Sequence, residues 1–198
     1  MEVKRAAFIT SMATYGAYPD QGLPEVAVAG KSNVGKSSMI NCLCRRNKLA
    51  KISGTPGKTR LINVFLINDD LHLIDLPGYG FAQVSKAEKQ RWGEMIEGYF
   101  AASETLRHVL HLVDIRHEPT AEDRQMHAFL RDTQAPYTVL ATKADKISRA
   151  AYARQVAIIC RALQVQPWQV IPWSSQDGTG RDKLLDLLGA LAARGDVS

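Results

Sequence analysis

The segment from residue 30 to residue 37 constrains this chain more than any other. It fits the pattern G-x-x-x-x-G-K-[ST] and consists of Gly30, Lys31, Ser32, Asn33, Val34, Gly35, Lys36 and Ser37. Glycines let a backbone approach phosphate oxygens, and N–H groups at a helix N-terminus offer those oxygens positive partial charge. A lysine at this place reaches the β- and γ-phosphates, and the serine hydroxyl binds Mg²⁺. The segment therefore predicts a phosphate-binding loop that works with magnesium.

The flanking residues supply the strand and the helix that such a loop needs. The apolar run at residues 26–29 predicts a buried strand, and residues 38–43 predict a helix. A chance glycine-rich turn is the alternative, but it does not explain why these two elements flank the loop.

Strand-like and helix-like segments alternate along the rest of the chain. Asn68, Asp69 and Asp70 predict a hairpin turn, and Thr120 with Asp123 predicts a helix cap. The predicted strands are residues 62–67, 71–74, 109–113, 137–141 and 168–171, and the predicted helices are residues 86–100, 120–130, 148–163 and 181–193. This alternation predicts a three-layer α/β fold, with a mostly parallel sheet, one antiparallel edge strand and helices on both faces.

Length and composition indicate one domain. The 198 residues suffice for a full core, and no linker or repeat interrupts them. We expect the core at about residues 24–195, preceded by an N-terminal strand and loop at residues 1–23, with a long loop over residues 11–24. No apolar run approaches the roughly 18 residues of a membrane span, so no membrane partner is expected. Cys42, Cys44 and Cys160 fit no metal-site spacing and predict reduced thiols in a cytoplasmic protein.

A basic stretch runs from Arg45 to Arg60. The chain carries a net charge of +5, and no acidic residue interrupts this stretch. Its basic residues are Arg45, Arg46, Lys48, Lys51, Lys58 and Arg60. A solvated loop and a surface that faces RNA or phosphate are both consistent with this pattern.

Two later segments complete a phosphate site. Asp75, Leu76, Pro77 and Gly78 end a predicted strand, where a carboxylate can hold Mg²⁺ through water and a glycine N–H can meet a γ-phosphate. Residues 54–60 form a glycine-rich loop in which a threonine hydroxyl can bind Mg²⁺ when the γ-phosphate is present. Thr55 and Thr59 are both candidates for this role.

Two more segments select the base. Thr142, Lys143, Ala144 and Asp145 end a predicted strand, and a carboxylate there accepts hydrogen bonds from N1–H and the 2-amino group of guanine. Adenine has neither donor, so Asp145 favours guanine. The Lys143 stem is placed to pack over the purine. Trp173, Ser174 and Ser175 follow the last strand, where a backbone N–H can bind the guanine O6.

The order of these motifs and the residues within them resemble one family in particular. The strings T-P-G-K-T at residues 55–59 and D-L-P-G-Y-G at residues 75–80, with the phosphate loop, look like the EngB family, and the resemblance covers nearly the whole chain. It implies a P-loop NTPase fold of the Ras-like G-domain type and magnesium ligands Ser37 and Thr59, with Asp75 acting through water. It adds Ser38, Gly57, Lys58, Thr59, Arg60 and Leu61 to the nucleotide-binding residues.

The same resemblance implies a biological role. EngB proteins are bacterial, cytoplasmic GTP-binding proteins that act in assembly of the large ribosomal subunit, and the family is described as necessary for normal cell division and septation. The implied partners are GTP or GDP and the large subunit, contacted through the basic stretch, and we expect a monomer.

The chain departs from a generic GTPase in two places. Thr142 stands where the guanine motif usually begins with Asn, and Tyr79 stands where Ras-like proteins carry the Gln that orients water. We therefore expect slow hydrolysis with no certain catalytic base, and contacts from Lys36, Thr59 and Gly78 to the transferring phosphoryl group. Asn33 either holds a potassium ion beside the phosphates or only orders the loop.

Two other functions share the phosphate loop. A small-molecule kinase needs a lid over its acceptor, and the sequence contains no lid-like insertion. An RNA-binding scaffold with a decayed nucleotide site is disfavoured because Lys36, Ser37, Asp75 and Asp145 are all intact.

Overall fold

Seven strands form one sheet in the computed structural model, which describes residues 1–19, 22–50, 61–80 and 85–193. The sheet order is β1-β3-β4-β2-β5-β6-β7. The strands are β1 (Ala6–Met12), β2 (Glu25–Gly30), β3 (Ile62–Ile67), β4 (Leu71–Asp75), β5 (Leu106–Asp114), β6 (Tyr137–Thr142) and β7 (Val170–Pro172).

Five α-helices in the described residues cover the two faces of this sheet. They are α1 (Lys36–Leu43), α2 (Lys86–Ala102), α3 (Ala121–Asp132), α4 (Tyr152–Leu163) and α5 (Arg181–Ala193). Capping boxes start α2 at Ser85 with Glu88 and α3 at Thr120 with Asp123, which confirms the predicted cap. None of the described helices is both long and apolar enough to cross a membrane.

The sheet is parallel except at one side. Strands β4, β2, β5, β6 and β7 pair in parallel, whereas β3 pairs antiparallel with both β4 and β1. The turn between β3 and β4 places Asn68 and Asp69 at φ values of 53° and 64°, a conformation that polar turn residues tolerate. The predicted fold class is confirmed, and β1 is added on the outer side of the antiparallel strand.

Apolar residues fill both faces of the sheet. Every residue of β2 and β4 is buried, as expected for strands covered on both sides. One core cluster joins α1 and α5 to the sheet, a second joins α2 and α3 to the other face, and a third lies under α4. The carboxyl ends of the parallel strands therefore emerge together at one edge, where Gly30, Asp75, Asp114 and Thr142 lie.

Several predicted boundaries were wrong. Residues 11 and 12 belong to β1, because β1 pairs with β3 as far as Met12. The helix predicted from residue 148 begins with the 3₁₀ turn Arg149–Ala151, and α4 starts at Tyr152. The strand predicted at residues 168–171 is the 3₁₀ turn Pro167–Gln169 followed by β7, because Pro167 at the start of the turn and the reciprocal bonds between Gln166 and Gln169 favour a helical turn.

A buried carboxylate fixes the opposite edge of the sheet. Glu25 is fully buried and accepts hydrogen bonds from five hydroxyl groups. The donors are Tyr15, Tyr18, Tyr99, Ser103 and Thr105. Burial alone would raise the pKa of Glu25, but these donors outweigh it, and the pKa lies below its usual value. This cluster lies at the start of β2, whereas the predicted phosphate loop follows its end.

Candidate functional site

The predicted phosphate loop joins the end of β2 to the start of α1. Gly35 caps α1 at φ 110° and Asn33 lies at φ 63°, so the chain turns through left-handed conformations before the helix. Gly30 is needed for a different reason, because a Cβ there would lie 2.9 Å from Val34 Cγ1 and 3.0 Å from Leu112 Cβ. The backbone thus turns the N-terminus of α1 toward the edge where the strands end.

Lys36 and Asp75 interact electrostatically at this loop. Burial lowers the pKa of the Lys36 amine, while the charge of Asp75 opposes that shift. Burial raises the pKa of the Asp75 carboxyl, and Lys36 and an Asn63 amide at 3.4 Å from Asp75 Oδ2 oppose that shift. Each group therefore stabilises the charged form of the other in a poorly hydrated site.

One oxygen of Asp75 fits a cation. Asp75 is 8 % exposed, and its Oδ1 atom has no hydrogen-bond partner in the part of the chain that the structure describes. A buried carboxylate oxygen without a donor is costly unless water or a metal satisfies it. Ser37, in the first turn of α1, supplies the hydroxyl of the predicted magnesium ligands. Hard oxygen donors of this kind are those that Mg²⁺ prefers, so these residues fit the predicted ion.

The segment after Asp75 lies directly against the phosphate loop. A Cβ on Gly78 would lie 3.1 Å from Lys36 Nζ and 3.2 Å from the backbone of Ser32. The Ser32 N–H donates to the Tyr79 carbonyl at 2.8 Å, and Pro77 accepts a 2.9 Å bond from the Trp92 indole. The structure therefore brings Gly78 close to Lys36.

Thr142 connects the predicted base-binding segment to the phosphate loop. It is 2 % exposed, and its hydroxyl lies 2.8 Å from the Val34 carbonyl and 3.1 Å from the Val113 carbonyl. Thr142 therefore links the loop, β5 and β6. Ala144, two residues further on, is fully buried, and its N–H donates to the Trp173 carbonyl at 3.0 Å.

Lys143 is held in place by a residue that the sequence analysis missed. Its amine lies 2.9 Å from Asp114 Oδ2, and Lys143 itself has φ 61°. Burial would raise the pKa of Asp114, but hydrogen bonds from Arg116 and Lys143 lower it strongly. Asp114 is the last residue of β5, as Asp75 is the last residue of β4, and both lie at the same edge of the sheet. An aspartate at the end of a predicted strand was the sequence signal that could have identified Asp114 as a site residue.

Asp145 is oriented by a serine from the segment after β7. The Ser174 hydroxyl donates to Asp145 Oδ1 at 3.0 Å, and Lys146 Nζ lies 3.1 Å from Oδ2. Burial would raise the pKa of Asp145, but these two partners lower it, so the group is ionised near neutral pH. The carboxylate remains 17 % exposed and can therefore meet a ligand.

An open cavity of about 700 Å³ lies beside this carboxylate, and a cavity of this size accommodates a nucleoside. Ser38, Val34, Thr142, Lys143, Asp145, Trp173 and Ser175 line it. The Trp173 ring is 1 % exposed and packs into the core, with its indole N–H on Ser175 Oγ at 3.0 Å. The cavity also includes residues that the sequence analysis had not assigned to the base, namely Asn41, Cys42, Arg45, Arg46 and Asn47.

Other predicted residues are described only in part. Lys31 and Leu61 are partly buried, Leu61 directly before β3, while Asn33 is exposed at the loop. Gly57, Lys58, Thr59 and Arg60 lie outside the described residues, as do Thr55 and Lys51. Of the basic stretch, Arg45, Arg46 and Lys48 are described, and all three are exposed.

The Tyr79 side chain points away from the phosphate site. It is 6 % exposed, and its hydroxyl lies 2.8 Å from Asp123 Oδ1 and 2.9 Å from His111 Nε2. A hydroxyl bound on both sides in the interior cannot orient water beside a γ-phosphate. This geometry agrees with the expectation that Tyr79 does not replace the missing glutamine.

Comparison with known proteins identifies the family. Residues 25–143 match the family model described as a 50S ribosome-binding GTPase. A relative named "Probable GTP-binding protein EngB", from Desulfitobacterium hafniense (strain DSM 10664 / DCB-2), is 47% identical over 92% of this chain and 91% of its own.

Solved structures share the fold. The crystal structure of a probable GTP-binding protein engB matches with a TM-score of 0.72 and 22% identity, over 86% of this chain and 99% of that one. Era, solved with MgGDPNP and nucleotides 1506-1542 of 16S ribosomal RNA, matches with a TM-score of 0.64 and 24% identity, over 84% of this chain and 55% of that one. With the matched relative and the motifs described above, these findings confirm the resemblance: the chain belongs to the EngB family of GTP-binding proteins and is a GTPase with the P-loop fold.

Proposed function

We propose that this chain is a guanine-nucleotide switch of the bacterial cytoplasm that acts on the large ribosomal subunit during its assembly, with a role in cell division and septation. The observation that carries the proposal is the arrangement at one sheet edge. There the phosphate loop, Asp75 and Gly78 stand at one end, and Asp145 with its cavity stands at the other. We take the chain to act as one G domain and as a monomer.

Guanine selection is assigned to Asp145. Its ionised carboxylate accepts hydrogen bonds from the N1–H and 2-amino groups of guanine, while Ser174 keeps the carboxylate in one orientation. Adenine would leave this charge without a donor, which costs more than the loss of a neutral hydrogen bond. Lys143, anchored by Asp114, packs its aliphatic stem over the purine, and the segment Trp173 to Ser175 closes the base site.

The phosphates are assigned to the loop. Its backbone N–H groups and the N-terminus of α1 bind the β-phosphate, while Lys36 and the Gly78 N–H bind the γ-phosphate. Ser37, Thr59 and Asp75 would hold Mg²⁺, with Asp75 acting through water. The unpartnered Oδ1 atom of Asp75 supports this assignment. The ion supplies charge neutralisation at the β- and γ-oxygens.

Hydrolysis is slow in this proposal. Tyr79 is committed to the protein interior, so no side chain takes the place of a water-orienting glutamine among the residues assigned to the γ-phosphate. An unassisted site of this class turns over roughly once per hour. Lys36, Thr59 and Gly78 contact the transferring phosphoryl group. Asn33 would hold a potassium ion, whose positive charge would stabilise the transferring phosphoryl group.

The ribosomal partner is assigned to the basic stretch from Arg45 to Arg60. The matched family model carries the description of a 50S ribosome-binding GTPase. The exposed Arg45, Arg46 and Lys48 begin this stretch directly after α1, beside the nucleotide cavity. Positive charge there binds the phosphates of rRNA, and this binding weakens as salt rises.

Sedimentation of the protein with purified large subunits tests this function. We expect binding with a non-hydrolysable GTP analogue to exceed binding with GDP, and the variant Lys48→Glu to weaken it. Lys183→Glu makes the same charge change on an exposed lysine of α5 and serves as the control. Equal binding with both nucleotides would contradict the switch, and equal effects of the two variants would contradict the assigned surface.

A further inference from the structure

Tyr79 connects the phosphate loop to the core through both its backbone and its side chain. Its carbonyl accepts from the Ser32 N–H at 2.8 Å, and its N–H donates to the Gly30 carbonyl at 3.4 Å. Its ring is 6 % exposed and packs edge-on against Trp92 at a centroid distance of 6.0 Å. The residue next to Gly78 is therefore attached on two sides.

The proton positions in the Tyr79 network follow from the donors available. Asp123 Oδ1, as a carboxylate oxygen, only accepts, so the tyrosine proton points to it at 2.8 Å. His111 Nε2, at 2.9 Å, must then donate to the tyrosine oxygen. Burial, together with Asp123, raises the pKa of Tyr79 well above its usual value, so the hydroxyl keeps its proton. The network is a directed chain from His111 through Tyr79 to Asp123.

Both ends of this chain are rigid. Asp123 uses its other oxygen, Oδ2, to cap α3 by accepting from the Thr120 N–H and hydroxyl at 2.9 Å each. His111 is fully buried in β5, next to the stacked ring of His127 at 5.6 Å. A hydroxyl held between a helix start and a central strand has little freedom to move.

Gly78 precedes this fixed residue. A Cβ on Gly78 would lie 3.1 Å from Lys36 Nζ, so Gly78 lies close to the lysine amine. A displacement of the segment would move the Gly78 N–H relative to that amine. We propose that Tyr79 is a positioning residue for GTP recognition, because it holds the Gly78 N–H where it meets the γ-phosphate beside Lys36. This inference rests on the proposed contact of Gly78 with the γ-phosphate. GDP lacks that phosphate, so Tyr79 favours GTP over GDP.

Calorimetric titration with GDP and with a non-hydrolysable GTP analogue tests the proposal. For Tyr79→Phe we expect the dissociation constant of the analogue to rise about three- to tenfold, the equivalent of one hydrogen bond, with a change under about twofold for GDP. Tyr99→Phe is the matched control, since Tyr99 is fully buried and donates at 2.8 Å to Glu25 at the other edge of the sheet. It should lower the melting temperature and leave both constants within about twofold.

A second pair of variants covers the case in which Tyr79→Phe does not fold. Asp123→Ala removes the acceptor of the tyrosine and should also weaken the analogue selectively. Thr120→Ala removes capping bonds from α3 but keeps the bond from Tyr79 to Asp123. It should therefore not weaken binding of the analogue selectively. Equal changes for both nucleotides in Tyr79→Phe, or selective loss in the control variants, would overturn the proposal.

Gly78→Ala separates this proposal from the function on which it rests. If Gly78→Ala weakens the analogue selectively while Tyr79→Phe does not, the γ-phosphate contact stands and the role of Tyr79 is wrong. If neither variant affects the analogue more than GDP, the proposed contact of Gly78 is itself wrong.

Discussion

Replacing Thr142 by valine tests whether the base-binding segment supports the phosphate loop. The side chains have nearly the same shape, so Thr142→Val removes the hydroxyl and leaves the packing intact. The hydroxyl has one proton, and the Val34 carbonyl at 2.8 Å is its shorter contact, compared with Val113 at 3.1 Å. One neutral hydrogen bond contributes about 0.5–1.5 kcal/mol, and a buried carbonyl left without its donor adds to the loss. We expect a total of about 1–2 kcal/mol.

This loss should appear in two measurements. The melting temperature should fall by about 2–8 °C, since 1 kcal/mol corresponds to about 2–4 °C for a chain of this size. Titration calorimetry should show the dissociation constants of GDP and of a GTP analogue rising together by about five- to thirtyfold, because the loop binds both nucleotides. Selectivity for guanine should not change, because Asp145 is intact.

Thr138→Val is the matched control. Thr138 lies on the same strand β6, is 9 % exposed, and its hydroxyl lies 2.9 Å from His108 Nε2, away from the loop. The control should lose stability but keep its nucleotide affinity. If both variants leave nucleotide affinity unchanged, or if Thr142→Val changes the choice of base, the role assigned to Thr142 is wrong.

Three further predictions concern charge. The pKa values of three histidines are lowered by burial from 6.5 to about 4, about 3 and about 4, for His108, His111 and His127 respectively. The unfolded chain therefore takes up these protons first, so urea unfolding should show stability falling from pH 6.5 toward pH 4, and a flat profile would contradict this. Asp114→Ala releases Lys143, and nucleotide titration should show the binding of GDP and GTP alike weakened by about two- to fivefold, a small effect because both groups are partly exposed; unchanged binding would mean that Lys143 needs no anchor. Potassium should accelerate phosphate release over sodium at equal ionic strength, with or without ribosomal subunits, and Asn33→Ala should abolish the difference; equal rates in the two salts would exclude the ion.

Local patterns predicted much of the fold. The apolar runs that became β2, β5 and β6 and the capping pair Thr120 and Asp123 each depend on residues close together in the sequence. The pairing of β1 outside β3 joins residues fifty or more positions apart, and no local pattern specifies it.

Sequence motifs indicated part of the candidate site, and the roles of its residues stay predictions. The phosphate loop, Asp75 and Asp145 stand in fixed motifs, so sequence spacing located them. The anchor of Lys143 at Asp114 and the bond from Tyr79 to Asp123 depend on which strand ends and helices become neighbours in the fold. Thr59 lies outside the described residues, and its role as a magnesium ligand stays a prediction.

The central claim is that Asp145 selects guanine, and exchange of its carboxylate for an amide tests it most directly. The dissociation constants of GDP and xanthosine diphosphate should be measured for the wild-type chain, Asp145→Asn and the control Asp182→Asn, an exposed residue of α5. Loss of charged hydrogen bonds worth about 1.5–3 kcal/mol should weaken GDP by about 10- to 150-fold. The amide donor should favour xanthine, so the preference should reverse in Asp145→Asn only. An unchanged preference for GDP in that variant would contradict the account.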